Sequence, residues 1–269
     1  MHPLNTSLEG GGARLRAMIL KWAAEIKAWG VEWHTGIYPG ELAAFLGLCD
    51  LRGVRSIVES GRGEHAYSTQ VLGEYAERTG AKVASIDLSP AQGKAFQEGL
   101  KRYHNLRCIV GDTFYVLPDA ALGTPGPIAL LLDGPKLQPA NRLSLVASIM
   151  FDVQIIAHHN CPLSSSWGRE FAKVFPAAFH YEDLGLSADL RWQEFKRWEH
   201  EWVKGYEVYD AVHGIPGRSL DASSLAMAVV SPEQRSIRRL LKLRRGCLQY
   251  NPLWLWLKWS WWARRSSRS

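Results

Sequence analysis

Three short stretches of the chain carry residue types that could do chemistry together. The first is Glu59-Ser60-Gly61-Arg62-Gly63, with Ala66 completing the spacing Gly61-x-Gly63-x-x-Ala66. Small residues at that spacing let a backbone turn tightly and bring the N-terminus of a following helix toward a ligand. Asp87 stands 24 residues beyond Gly63, where an acid at the end of a second strand can accept both hydroxyls of a ribose. The second stretch is Asp133-Gly134-Pro135-Lys136 and the third is His158-His159-Asn160. An imidazole titrating near neutrality can take up a proton, and an ammonium such as that of Lys136 can steady an oxyanion. The three stretches describe a nucleoside-type ligand site beside an acid–base site. The plainer alternative is an α/β domain with an ordinary glycine loop and a helix-capping Asp87.

The elements that must position these residues follow from hydrophobic spacing. Residues 15–29 carry apolar side chains at helical intervals and 40–48 suggest a second short helix. Strands are expected at 55–59, 83–87, 107–110, 128–133 and 153–157, with helices at 67–79, 90–103 and 143–150 among them. Strands separated by helical stretches imply right-handed βαβ crossovers, hence a doubly wound, mainly parallel α/β sheet of Rossmann-like type. Further strands at 179–182 and 225–230 would bring it to six or seven. Three parts result: an N-terminal helical segment (1–50), the α/β domain (51–234) and a basic Trp-rich tail (235–269). Within the domain, Trp192, Phe195, Trp198, Trp202, Val203 and Tyr206 give an inserted helix at about 188–212 an aromatic face. Packing onto the domain is one role for that face and covering a substrate is the other.

Glu59 narrows the choice of ligand. A carboxylate two residues before the first glycine would meet a dinucleotide's pyrophosphate as like charge, which disfavours NAD. A cationic ligand such as S-adenosylmethionine, with its sulfonium and ammonium groups, suits the acid. At these residues the chain resembles the class I S-adenosylmethionine-dependent methyltransferases, whose first motif is an acid-x-Gly-x-Gly loop; the resemblance covers residues 53–160. It implies that Glu59, Gly61 and Gly63 line the methionine part of the cofactor and that Asp87 binds the ribose. It further implies that Gly111 and Asp112 contact adenine, with Phe114 or Tyr115 available to stack, and that Asp133 sits beside the transferred methyl. Ser68, Leu88 and Thr113 complete the implied cofactor-binding set. Ala66, where a third glycine is frequent, departs from the pattern.

Ligands of such sheets bind at the carboxyl ends of the strands, so Asp133, Lys136, His158 and His159 are expected in one crevice as catalytic residues. Methyl transfer to a hydroxyl is an in-line displacement at carbon, in which the acceptor must be oriented and its proton removed. Either histidine could be the base. The spacing also resembles metal-dependent small-molecule O-methyltransferases, which makes Asp133, His159 and Asn160 a candidate set for a divalent ion. His159 stands where a second acid would be, however, and Mg²⁺ prefers carboxylate oxygens, so a metal is not favoured.

Composition sets the setting. The 269 residues include 46% apolar and 22% charged ones, enough for one substantial core. Four well-separated cysteines form no CxxC pair and fit a reducing, cytoplasmic compartment. No signal peptide and no membrane-spanning run is seen. The net charge of +6 is divided unevenly: ten Lys or Arg and no acid follow Glu233, leaving 22 basic against 26 acidic groups in residues 1–234. A slightly acidic body argues against nucleic acid as a partner, and a cationic tail argues for docking. Five of the twelve tryptophans fall between residues 254 and 262. Tryptophan favours the headgroup level of a bilayer and cations favour an anionic leaflet, so peripheral membrane attachment through residues 235–269 is expected. The expected function is an O-methyltransferase at the cytoplasmic membrane face, acting on a small molecule, a saccharide or a lipid-linked saccharide. The alternatives are an inactive, methyltransferase-like scaffolding subunit and an RNA methyltransferase.

Overall fold

A computed structural model describes residues 11–33, 36–63, 65–90, 94–124, 126–203, 225–231 and 256–260. Tyr206 of the aromatic stripe and all of the basic tail except 256–260 lie outside the described residues. Helices α1 (Gly11–Trp29) and α2 (Pro39–Arg52) lead into β1 (Ser56–Ser60), α3 (Tyr67–Thr79), β2 (Lys82–Asp87), α4 (Lys94–Leu100) and β3 (Leu106–Val110). Then come α5 (Thr113–Leu122), β4 (Ile128–Leu132), α6 (Leu137–Met150), β5 (Val153–His158), α7 (Ser166–Val174) and β6 (Ala178–Phe179). Two 3₁₀ turns, α8 (Leu190–Trp202) and β7 (Ala226–Val229) complete the order.

The seven strands form one sheet in the order β3-β2-β1-β4-β5-β7-β6. Strands β1 to β5 pair in parallel and β7 runs antiparallel between β5 and β6. The order reverses between β1 and β4, the switch point where doubly wound sheets open a crevice at the strands' carboxyl ends. The central strands are near-continuous apolar runs because helices cover both faces. Side chains alternate between two cores: Ile57, Leu131, Ile155 and Ala157 join one, and Val58, Leu130, Leu132 and Ile156 the other.

Helix α2 is buried from Pro39 to Cys49. A helix apolar on all sides belongs inside a protein, and α2 touches α1, β5 and α8. It runs longer than the 40–48 expected, because Pro39 at its first turn and Gly53 in a left-handed C-cap set its ends. Two helices had no expectation: α5, whose Pro118 masks its periodicity, and α7, whose mean hydropathy is low. The strand expected at 179–182 is cut to Ala178–Phe179 by a 3₁₀ turn at Tyr181–Leu184. On α8, Trp192 and Phe195 are buried and form a ring ladder with Tyr181, Trp198 and Trp202. The aromatic face therefore packs over its described length and emerges only at Trp202, 39% exposed. No described helix is long and apolar enough to cross a membrane.

Candidate active site

At the switch point a cavity of about 260 Å³ is lined by Gly61, Asp87, Leu88, Asp112, Thr113, Phe114, Gly134 and Pro135. Its floor is the contact between the loops after β1 and β4. Gly61 has φ 89°, and a Cβ there would sit against the Gly134 nitrogen and 2.6 Å from the Asp133 carbonyl carbon. Only glycine meets both demands. Asp87 Oδ2 accepts from the Gly63 amide at 3.0 Å and its Oδ1 from the Ser89 amide at 3.0 Å. A carboxylate has about four lone-pair sites; Ser89 Oγ at 3.4 Å takes a second on Oδ1, so Oδ2 is the oxygen that keeps capacity for a ribose hydroxyl. Asp112 caps α5 through the Phe114 amide at 2.9 Å, and Thr113 Oγ1 lies 2.5 Å from Ser60 Oγ. Gly111 precedes that cap outside the cavity lining, and Tyr115 points outward, 57% exposed.

Glu59 and Ser68 lie elsewhere than the resemblance implies. All five residues of β1 are buried, and the Glu59 carboxylate turns inward to accept from Ser68, from Thr69 at 2.5 Å and from Ser85 at 2.5 Å. Burial raises its pKa; the three hydroxyls and then the Arg62 charge oppose that rise. Glu59 thus braces β1, α3 and β2 beneath the loop, and neither it nor Ser68 lines the crevice. Arg62 went unassigned in the sequence. Its guanidinium is buried and donates to the carbonyls of Ser85 at 3.3 Å and Ser89 at 3.2 Å, on either side of Asp87. An arginine between two loop glycines carries no signal for this role.

The β4–β5 end holds a charge network. Lys136 and His159 Nδ1 both meet Asp133 Oδ1, the imidazole at 2.6 Å. Burial would raise the Asp133 pKa, but the charge and hydrogen bond of His159, then those of Lys136, hold it well below the usual carboxylate range. On its other side, His159 Nε2 lies 3.9 Å from Glu41 Oε2. Glu41 accepts from the Tyr38 amide at 3.0 Å and the Leu225 amide at 2.8 Å, joining α2 to the β7 strand. Glu199 on α8 accepts from the Gly40 amide at 2.6 Å and pairs with Lys196. Neither Glu41 nor Glu199 was singled out in the sequence, because nothing local marks a helix carboxylate as facing a strand end.

Two expectations are corrected here, the places of His158 and His159. His158 does not reach the crevice: it points into the opposite core, 2.5 Å from Ser144 Oγ and tilted against the Phe171 ring with centroids 4.5 Å apart. Burial lowers its pKa to about 3, so it stays neutral and enclosed. His159 reaches Asp133, but only 2% of its side chain is exposed. It positions Asp133 and does not itself face an acceptor. Asp133, His159 and Asn160 do not fit a divalent ion. The imidazole hydrogen-bonds the carboxylate directly and the Lys136 ammonium occupies the same oxygen. A cation already on Asp133, the one acid of that set, opposes a second, doubly charged one. No group of three His, Cys, Asp or Glu suited to a metal occurs among the described residues.

The fold and crevice define a doubly wound, Rossmann-like α/β class of architecture. No family model and no curated protein matches the chain. Among solved structures it is similar to the SAH-bound Podospora anserina methyltransferase PaMTH1, at 12% identity over 81% of this chain and 88% of that one, with a TM-score of 0.38. It is also similar to a putative caffeoyl-CoA O-methyltransferase from Staphylococcus aureus, at 14% identity over 79% of this chain and 92% of that one, with a TM-score of 0.37. Likeness this low carries no chemistry across.

Proposed function

We propose that the chain is an S-adenosylmethionine-dependent O-methyltransferase that works peripherally at the cytoplasmic membrane face on a saccharide or lipid-linked saccharide. The observation that carries the reading is the juxtaposition at the switch point. A nucleoside-sized crevice with Asp87 and Asp112 at one end abuts, through Gly134, the anionic Asp133 with its Lys136 partner. The cofactor supplies a methyl group on a positively charged sulfur. The chain's part is to hold the reactants in line and to meet the charge that moves between them. Asp133 is held anionic by His159 and Lys136 and would stabilise the sulfonium end before transfer. A bound cofactor would give its methyl group to an acceptor oxygen and keep the carbon–sulfur electron pair on sulfur. The half-exposed Lys136 ammonium would steady the oxygen, whose proton passes to solvent, because a carboxylate so strongly held in its charged form is a weak base.

Supporting the membrane reading is the cationic, tryptophan-rich composition of residues 235–269. Calorimetry with S-adenosylhomocysteine tests the cofactor: binding in the micromolar range is expected, and silence at millimolar ligand would remove the enzyme reading. Sedimentation with phosphatidylserine-containing vesicles tests attachment. The protein should pellet at low salt and be released as salt screens its cations; a protein that stays in the supernatant at low salt has no such anchor.

A further inference from the structure

The described part of the tail does not stand apart from the body. Residues 256–260 form a helical turn, and Trp259 on it is 1% exposed, seated in the core that contains Leu117 and Leu143. Its ring lies 6.0 Å from that of Phe151, and Ser260 Oγ lies 3.5 Å from Met150 Sδ. Lys258 sits 3.7 Å over the exposed ring of Tyr115.

The polar contact is specific. Trp259 Nε1 donates to the Phe114 carbonyl at 2.9 Å. In a helix that carbonyl would accept from the amide four residues on, but that residue is Pro118, which has no N–H to give. That carbonyl has no helical i+4 amide to accept from, and the indole N–H is a donor that reaches it. Phe114 is also where the crevice begins: its amide is held by Asp112, and Asp112, Thr113 and Phe114 line the cavity. The tail segment therefore closes the first turn of α5 from behind while the cavity faces it from the front.

We propose that residues 256–260 are a strap on α5, and that docking of Trp259 and binding of the adenosyl ligand to Asp112–Phe114 reinforce each other. The inference rests on the cofactor reading above and concerns how that site is regulated. Ordering by one partner of a turn that the other must also order makes their affinities reciprocal. Whatever engages the tail elsewhere then loosens the crevice. Tryptophan at this position has a reason to be there that bilayer affinity alone does not provide.

The test is calorimetry of S-adenosylhomocysteine on the full chain, with Trp259→Ala and Trp259→Phe beside wild type. Trp259→Phe keeps an aromatic ring in the core while removing the N–H donor and part of the indole's volume, so it remains informative if Trp259→Ala folds poorly. Loss of one hydrogen bond predicts affinity weakened about threefold in Trp259→Phe, and loss of the packed ring as well about tenfold in Trp259→Ala. Reciprocally, saturating ligand should slow amide hydrogen exchange in residues 256–260 of wild type. Affinities within twofold of wild type in the folded variants, or exchange in 256–260 that ignores the ligand, would overturn the strap. If wild type itself binds nothing, the cofactor reading falls, and the linkage falls with it.

Discussion

The two ends of the crevice are built on opposite plans. The β1–β3 end is made of backbone: a left-handed Gly61 against Gly134, amides held by Asp87, and a cap at Asp112. The β4–β5 end is made of charge: Asp133, Lys136 and His159 in one network, with Glu41 brought in from α2. The first end tolerates no added volume, and the second tolerates no lost charge. That contrast is what substitutions can break or sharpen.

The largest effect is expected from Gly61→Ala. Its Cβ would displace the β4 loop's backbone, which has no flexible side chain to yield, so S-adenosylhomocysteine affinity should fall at least about a hundredfold or the protein should fail to fold. Calorimetry and a thermal melt distinguish the two results, and near-normal binding would show that the loops can separate. Next comes Asp133→Asn, which leaves the Lys136 ammonium and the imidazole facing each other 3.5 Å apart. Turnover should drop about a hundredfold with ligand affinity changed by only about threefold, and stability should fall by about 2–4 kcal/mol. Because the folded Asp133 pKa is depressed, its contribution is present above the ordinary value of 3.8 and is lost as pH falls toward the folded value. The melting difference between wild type and Asp133→Asn should accordingly hold from pH 7 to 5 and narrow below 3.8. A difference that widens in acid would reverse the assigned sign.

His158 sharpens the contrast by lying outside both ends. Folding lowers its pKa from 6.5 to about 3. The unfolded chain then binds the extra proton between those values, so this residue's stabilisation is complete above pH 6.5 and declines as pH falls toward 3. His158→Gln, which keeps a polar partner for Ser144, should flatten the acid side of the melting profile by up to roughly 1.4 kcal/mol per pH unit. Turnover should be unchanged; a large loss would put His158 back into the chemistry. The smallest effect belongs to Ala66→Gly. Ala66 begins α3 at φ 50°, a left-handed conformation in which a Cβ is strained. Relief of about 1 kcal/mol is expected, offset in part by the greater freedom glycine has when unfolded. A thermal melt checks it, and destabilisation beyond about 1 kcal/mol would mean that the Ala66 methyl matters more to packing than its backbone strain costs.

Much of the backbone-built end was legible because its signals are local. Glycine spacing, a helix start at Tyr67 and an acid after an apolar strand all lie within thirty or so residues and read the same in any tertiary context. Helix α3 falls at the expected 67–79, and Gly61, Asp87, Leu88, Asp112 and Thr113 line one cavity. Glu59 shows the limit of such reading. Its charge suggested a ligand contact, but the burial of β1 and three neighbouring hydroxyls turned it inward. The charge-built end was legible only in residue type. Glu41 and Glu199 come from helices far away in sequence, and Trp259 reaches α5 from the tail. No spacing rule connects residues whose proximity is created by packing.

What the sequence determined by itself was the class of fold and the chemistry within reach. Hydrophobic periods of strand and helix alternate as a parallel α/β sheet requires, and in a doubly wound sheet an acid-glycine-glycine loop after the first strand stands at the switch point. What only the tertiary structure decided was which of two adjacent histidines faces the crevice side. Successive side chains of a strand point to opposite faces, so His158 follows Ile156 into one core while His159 follows Ala157 toward Asp133 and Glu41. The sequence places an imidazole on each side, and the packing of α2 over one face selects the side that meets the carboxylates.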